Sequence, residues 1–123
     1  MSVNRPFARI AGIGSAVPDG VLTNADLEAY LDTSDQWIVA RTGIRERRIA
    51  RSDEKLSDFA IRAANDAMRE AGVTAADLDG IIFATVTPDR RLPAIACDVQ
   101  ALLGAERAWA VDVVAACPGW MYA

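Results

Sequence analysis

Cys117 has the setting that most suggests chemistry. It follows an apolar run, 108–116, and directly precedes Pro118, which fits the first turn of a helix because its missing N–H costs nothing there. A strand-to-helix elbow of that kind would face the thiol toward unpaired backbone N–H groups and the positive end of a helix, where thiolate is favoured. The Cys117 N–H could also donate to an oxyanion, so the arrangement suits a covalent nucleophile. The alternative is a buried structural cysteine, since free cysteine is among the most buried residue types. Trp37 and Arg41 form a second pair, spaced i, i+4 so that both can share one helix face. An indole beside a guanidinium suits an adenine and a phosphate, and amphipathic packing is the plainer alternative. Cys97 lies near Ala96, Val99 and Leu103 on the apolar side of a helix expected at 93–103, and reads as core filler. Gly12-Ile13-Gly14 lacks the third glycine of a dinucleotide fingerprint, with Val17 in its place, and argues little for NAD.

The 123 residues include two cysteines and no histidine. That absence removes Cys-His and Ser-His pairs, the usual zinc sites and the commonest general base. Histidine-dependent chemistry would have to come from elsewhere. Two cysteines so far apart make no disulfide scaffold and no Cys-x-x-Cys site, which points to a reduced, cytoplasmic protein. Residues 1–9 carry no secretion-like apolar run, and nothing approaches the roughly 18 apolar residues of a membrane span. With 13 Lys+Arg against 17 Asp+Glu, the net charge of −4 argues against nonspecific nucleic-acid binding. Arg41, Arg45, Arg47, Arg48 and Arg51 nevertheless form a local basic cluster, better suited to a phosphate or an acidic protein than to a duplex. A hydrophobic fraction of 52% with 24% charged residues is that of one globular domain and excludes disordered, collagen-like and coiled-coil chains.

The elements that must position these side chains alternate. The apolar pattern predicts a first strand at 7–13, a loop at 15–22, and a short helix from Thr23-Asn24 to Leu31 with Asp26 in its first turn. Thr33 with Gln36 three residues later is a capping signal for a second helix, which Gly43 stops. Leu56, Phe59, Ala60, Ala63, Ala64, Ala67, Met68 and Ala71 fall on one helical stripe ended by Gly72. Five alanines among those eight let that helix approach a neighbour closely. Strands at 80–87 and 108–116 flank the helix at 93–103, which Gly104 closes. This order predicts an α/β fold with a sheet buried on both faces, without internal repeats or linkers. Residues 118–123 make barely two turns of helix at the end of the chain, which predicts a fragment of a longer protein.

The run Asp32-Thr33-Ser34-Asp35-Gln36-Trp37-Ile38-Val39-Ala40-Arg41-Thr42-Gly43-Ile44-Arg45-Glu46-Arg47 closely resembles the signature of β-ketoacyl-acyl carrier protein synthase III, a thiolase-superfamily condensing enzyme. Three stretches agree in order and spacing: Gly12-Ile13-Gly14-Ser15 with Pro18, Thr23-Asn24-Ala25-Asp26-Leu27-Glu28, and Asp112-Val113-Val114-Ala115-Ala116-Cys117. The resemblance covers nearly the whole chain but only the amino-terminal portion of the family. It implies that residues 1–123 are the amino-terminal part of the first βαβαβ-type half of a thiolase-like fold, truncated, with the C-terminal domain absent.

By that resemblance, Cys117 is the cysteine that accepts an acyl group from acyl-CoA. Trp37 stacks on the CoA adenine, Thr33 is a neighbouring CoA contact, and Arg41 lies in the CoA and pantetheine entrance. Arg45 shares that basic neighbourhood, where the acidic acyl carrier protein could also dock. The implied reaction is decarboxylative condensation with malonyl-acyl carrier protein, in a homodimer that uses CoA thioester as substrate and holds no permanent cofactor or metal. The histidine and asparagine that assist decarboxylation in the family belong to its second half. Pro118 and Trp120 replace smaller or different residues of the pattern, and Leu92 stands where phenylalanine often shapes the acyl pocket across the dimer interface. Asp89-Arg90-Arg91 is strongly charged. These departures leave the acyl preference open, and with it a role in polyketide or quinolone priming. Half a sheet made alone should expose an apolar edge, so a non-catalytic, associating fragment is the other alternative.

Overall fold

Two short strands that the apolar pattern does not reveal bracket the segment carrying Trp37. In the computed structural model, which describes residues 8–123, β1 (Gly20–Thr23) and β2 (Glu46–Ile49) pair antiparallel, Gly20 opposite Ile49 and Thr23 opposite Glu46. They belong to Val17–Lys55, one of two compact units; residues 8–16 with Leu56–Ala123 form the other.

Within Val17–Lys55, α1 (Asn24–Glu28) starts at Thr23, whose Oγ1 accepts the Asp26 N–H at 3.1 Å while the Asp26 carboxylate accepts the Thr23 N–H at 2.8 Å. This capping box satisfies two donors that a helix start leaves without partners. The helix stops three residues before the expected Leu31, because the Leu27 carbonyl takes the N–H groups of both Tyr30 and Leu31. The next helix, α2 (Asp35–Thr42), is capped by Ser34 rather than Thr33. Ser34 Oγ accepts the Trp37 N–H at 3.1 Å, and the Asp35 N–H goes to the Glu28 carboxylate, which moves the start one residue on from the expected box. Gly43 ends α2 in the left-handed region, φ 72°, where a side chain would be strained.

In the other unit the expected strand at 7–13 is not formed. Phe7 lies outside the described residues, and 8–13 is irregular. No described strand offers it a ladder; instead it lies against the alanine face of α3 (Leu56–Ala71). A Cβ on Gly12 would collide with the carbonyl of Ala67, and one on Gly14 with that of Ala63. The two glycines are thus required by close packing, and the alanine stripe has the close neighbour it called for. After a 3₁₀ turn at Ala75–Asp77, β3 (Gly80–Ala84) and β4 (Trp109–Val113) pair in parallel through α4 (Ile95–Leu103), Gly80 opposite Trp109 and Ala84 opposite Val113. Both strands are shorter than the apolar runs predict. Pro93 does not open α4: Ala94 holds the cap position and the Leu92–Pro93 peptide is cis.

Ile95, Ala96 and Val99 of α4 are buried with Phe59, Ala105 and Ala108. Among the described residues the sheet is not covered on both faces. Ile82, Trp109 and Val111 are exposed, and Ile10, Ile82, Phe83, Trp120 and Met121 line an open cavity of about 840 Å³. With α4 packed against these two strands, one layer of helix covers what the sequence pattern expects two to cover. Among the described residues no helix is long and apolar enough to cross a membrane.

Candidate functional site

Cys117 sits in the bend between β4 and the short helix α5 (Gly119–Tyr122). The residue before it, Ala116, has φ 47°, the single non-glycine residue with positive φ among those described. That conformation costs an L-residue about 1–2 kcal/mol and is held here by its surroundings. The Gly119 N–H donates to the Ala116 carbonyl at 3.0 Å, closing the turn around the cysteine, and Gly119 is buried within reach of Ala84 at the end of β3. Among the described residues Cys117 is exposed, whereas the structural alternative expects a buried thiol. Pro118 stands at the cap of α5 rather than inside its first turn. Cys97 is half-buried on α4 rather than in the core.

Trp37 and Arg41 share one face of α2, with the Arg41 guanidinium carbon 5.2 Å from the indole centroid. Both are exposed among the described residues, and the residue that α2 buries is Ile38. Asp32, Thr33, Ser34 and Trp37 line a cavity of about 360 Å³, which brings Thr33 and Trp37 to one concavity beside the Arg41 stack. The basic cluster is largely spent on local partners. Arg47 donates to Asn24, Arg48 pairs with Glu46 at 3.1 Å, and Arg51 meets Asp53 at 3.2 Å and Glu54 at 3.5 Å. Beside Arg51, the Asp53 carboxyl is held below its ordinary pKa and the guanidinium above its own. What remains for a ligand is narrower than five arginines suggest.

Leu92 is 84% exposed and lines, with Val86, Arg91, Val111 and Val114, a cavity of about 530 Å³. Its loop is tied at both ends. Asp89 accepts the N–H groups of Leu56 and Ser57 at 2.7 and 3.0 Å, and Asp112 those of Ile95 and Ala96 at 2.9 Å each. In the sequence Asp89 stands out only as part of the charged segment 89–91, and Asp112 only as part of the motif that ends at Cys117. Their partners lie 16 to 33 residues away, beyond any local capping pattern.

Parallel strands joined by a helix, with a cysteine on a strained elbow after the second strand, form a βαβ unit that superposes on part of the thiolase-like fold of solved condensing enzymes. The comparisons with known proteins agree. No protein-family model matches the chain. The β-ketoacyl-[acyl-carrier-protein] synthase III of Symbiobacterium thermophilum is 63% identical over 113 residues, 92% of this chain and 34% of the relative. The 3-oxoacyl-[acyl-carrier-protein] synthase III of Aquifex aeolicus superposes with a TM-score of 0.87 at 52% identity, over 93% of this chain and 37% of that one. The priming β-ketosynthase of the R1128 polyketide pathway gives a TM-score of 0.90 at 35% identity, over 96% and 35%. The chain belongs to the β-ketoacyl-[acyl-carrier-protein] synthase III family and spans about a third of the length of the relatives it matches.

Proposed function

We propose that this chain supplies the acyl-accepting thiol and part of the CoA-recognition surface of a β-ketoacyl-[acyl-carrier-protein] synthase III, the enzyme that starts fatty-acid chains. The carrying observation is the exposed Cys117 on the Ala116 elbow, in a chain 63% identical to a synthase of that name. The Cys117 thiolate attacks the thioester carbonyl of acyl-CoA, the carbon–sulfur bond to CoA breaks, and CoA leaves as a thiol after taking a proton. Backbone N–H groups at the bend stabilise the oxyanion formed on the way. Malonyl-acyl carrier protein then loses CO₂, and its α-carbon attacks the acyl-cysteine. A new carbon–carbon bond forms and the Cys117 thiolate is released. The chain has no histidine, so the histidine that the family resemblance implies for decarboxylation lies outside these residues. Trp37 stacks the CoA adenine, Thr33 lines the same concavity, and Arg41 meets the phosphates. We place the enzyme in the cytoplasm as a homodimer, with no resident cofactor.

A second reading is favoured by the TM-score of 0.90 to the polyketide priming synthase: a starter enzyme for a secondary metabolite, its acyl preference set near Leu92. One experiment tests both. The full-length enzyme is incubated with acetyl-, branched- and longer acyl-CoAs, acyl-Cys117 is read by peptide mass spectrometry, and condensation is followed with malonyl carrier protein. Acetyl or short branched groups are expected on Cys117. Preference for long or unusual starters supports the second reading, and an unmodified Cys117 with every donor refutes both.

A further inference from the structure

The least expected residue of the Val17–Lys55 unit is an amide at its centre. Asn24 is 1% exposed, and besides Ile38 it is the buried side chain of this unit. An asparagine amide has two N–H donors, and both are used here. Nδ2 donates to Asp35 Oδ1 at 2.7 Å and to the Ile44 carbonyl at 2.8 Å, while Oδ1 accepts from the Arg47 guanidinium. Asp35 is the first residue of α2, and Ile44 follows the Gly43 that ends it. One side chain therefore ties both ends of the helix that displays Trp37 and Arg41, and anchors them to β2 through Arg47. A satisfied polar hub of this kind fixes one geometry, because any displacement leaves a buried donor without a partner.

We infer that Asn24 is a positioning residue for nucleotide recognition: by gripping both ends of α2 it holds the Trp37–Arg41 face in the register that meets the adenine and phosphates of the acyl donor. The inference rests on the CoA reading of that face. Asn24 touches no substrate, and its effect passes through α2. Asn24→Asp replaces both donors with acceptors and sets a carboxylate against Asp35, while keeping the acceptor for Arg47. Adding Asp35→Asn to it restores a donor–acceptor pair in the reversed sense.

The test compares acyl-CoA with the same acyl group on N-acetylcysteamine, a thioester that lacks the nucleotide, in the full-length enzyme and its Asn24→Asp, Asn24→Asp/Asp35→Asn and Trp37→Ala variants. For Asn24→Asp the KM for acyl-CoA should rise about tenfold, the order of loss when a recognition face shifts by a fraction of an ångström. Its kcat, and both constants for the short thioester, should stay near wild type, and the double variant, which restores the Asp35 end of α2 but not the bond to the Ile44 carbonyl, should recover part of the lost KM. An unchanged KM for acyl-CoA overturns the inference, as does an equal loss with both donors, which would mark Asn24 as generally structural. Should Asn24→Asp not fold, Arg47→Lys weakens the same hub and is read in the same way. Trp37→Ala separates the two failures. If it leaves the acyl-CoA KM unchanged the CoA reading itself is wrong, and if it raises KM while the Asn24 variants do not, the positioning role alone falls.

Discussion

Asp112 and Ile95, seventeen residues apart, meet at the start of α4: Asp112 Oδ2 accepts the Ile95 N–H at 2.9 Å, and Oδ1 takes that of Ala96 at the same distance. The cap position is held by Ala94, which has no side-chain acceptor, so a strand residue caps the helix that packs on its own sheet. Hydrogen bonds to a charged group contribute about 1.5–3 kcal/mol. Asp112→Ala should therefore lower stability by about 2 kcal/mol, read as a shift in denaturation midpoint, and Asp112→Asn, which keeps one good acceptor, by less.

Gly14 faces the backbone carbonyl of Ala63, and Gly12 that of Ala67. Because the obstruction is main chain, no side-chain rotation relieves it. Gly14→Ala should cost about 1–3 kcal/mol or more and lower Tm. Trimming the facing helix with Ala63→Gly should not rescue it, whereas a clash with the alanine methyl would be rescued.

The elbow at Ala116 makes a graded prediction. Glycine at φ 47° removes the side-chain penalty but adds freedom to the unfolded chain, so Ala116→Gly should change stability by about 1 kcal/mol or less. Ala116→Val, β-branched in the left-handed region, should destabilise the bend and slow alkylation of Cys117 by iodoacetamide. Equal alkylation rates in both variants would show that the bend does not set the exposure of the thiol.

Asp26 and Asp77 sit in matching turns. Thr23 and Thr74 each donate through hydroxyl and N–H to the carboxylate, at 2.6 and 2.8 Å for Asp26 and at 2.7 and 2.8 Å for Asp77, and these bonds hold both carboxyls below the ordinary value of 3.8. A pKa lowered in the folded state gives stability that is present above the unfolded value and is lost as pH falls through the folded one. Both caps should therefore persist at neutral pH and weaken below about pH 4. In Thr23→Ala, NMR titration should find the Asp26 carboxyl moved back up toward its ordinary value while Asp77 is unchanged.

The sequence by itself determined what is local or covalent. Alanine periodicity and Gly72 place α3, Thr23 and Asp26 mark the start of α1, and the i, i+4 spacing puts Trp37 and Arg41 on one face, because each depends on residues within a turn or two of one another. The motif around Cys117 likewise singles out the thiol from sequence alone. Tertiary structure decided what depends on partners distant in the chain. The short β1 and β2, one of them mostly charged, exist because they pair with each other, and residues 8–13 lack strand structure because what they meet is α3. Asp89 and Asp112 became helix caps, two of the five clustered arginines paired with local acids and a third with the Asn24 amide, and Asn24, legible only as a helix-start residue, became the buried hub of the Trp37 unit. A polar side chain reads the same in sequence whether water or another residue will satisfy it, and only the folded chain shows which.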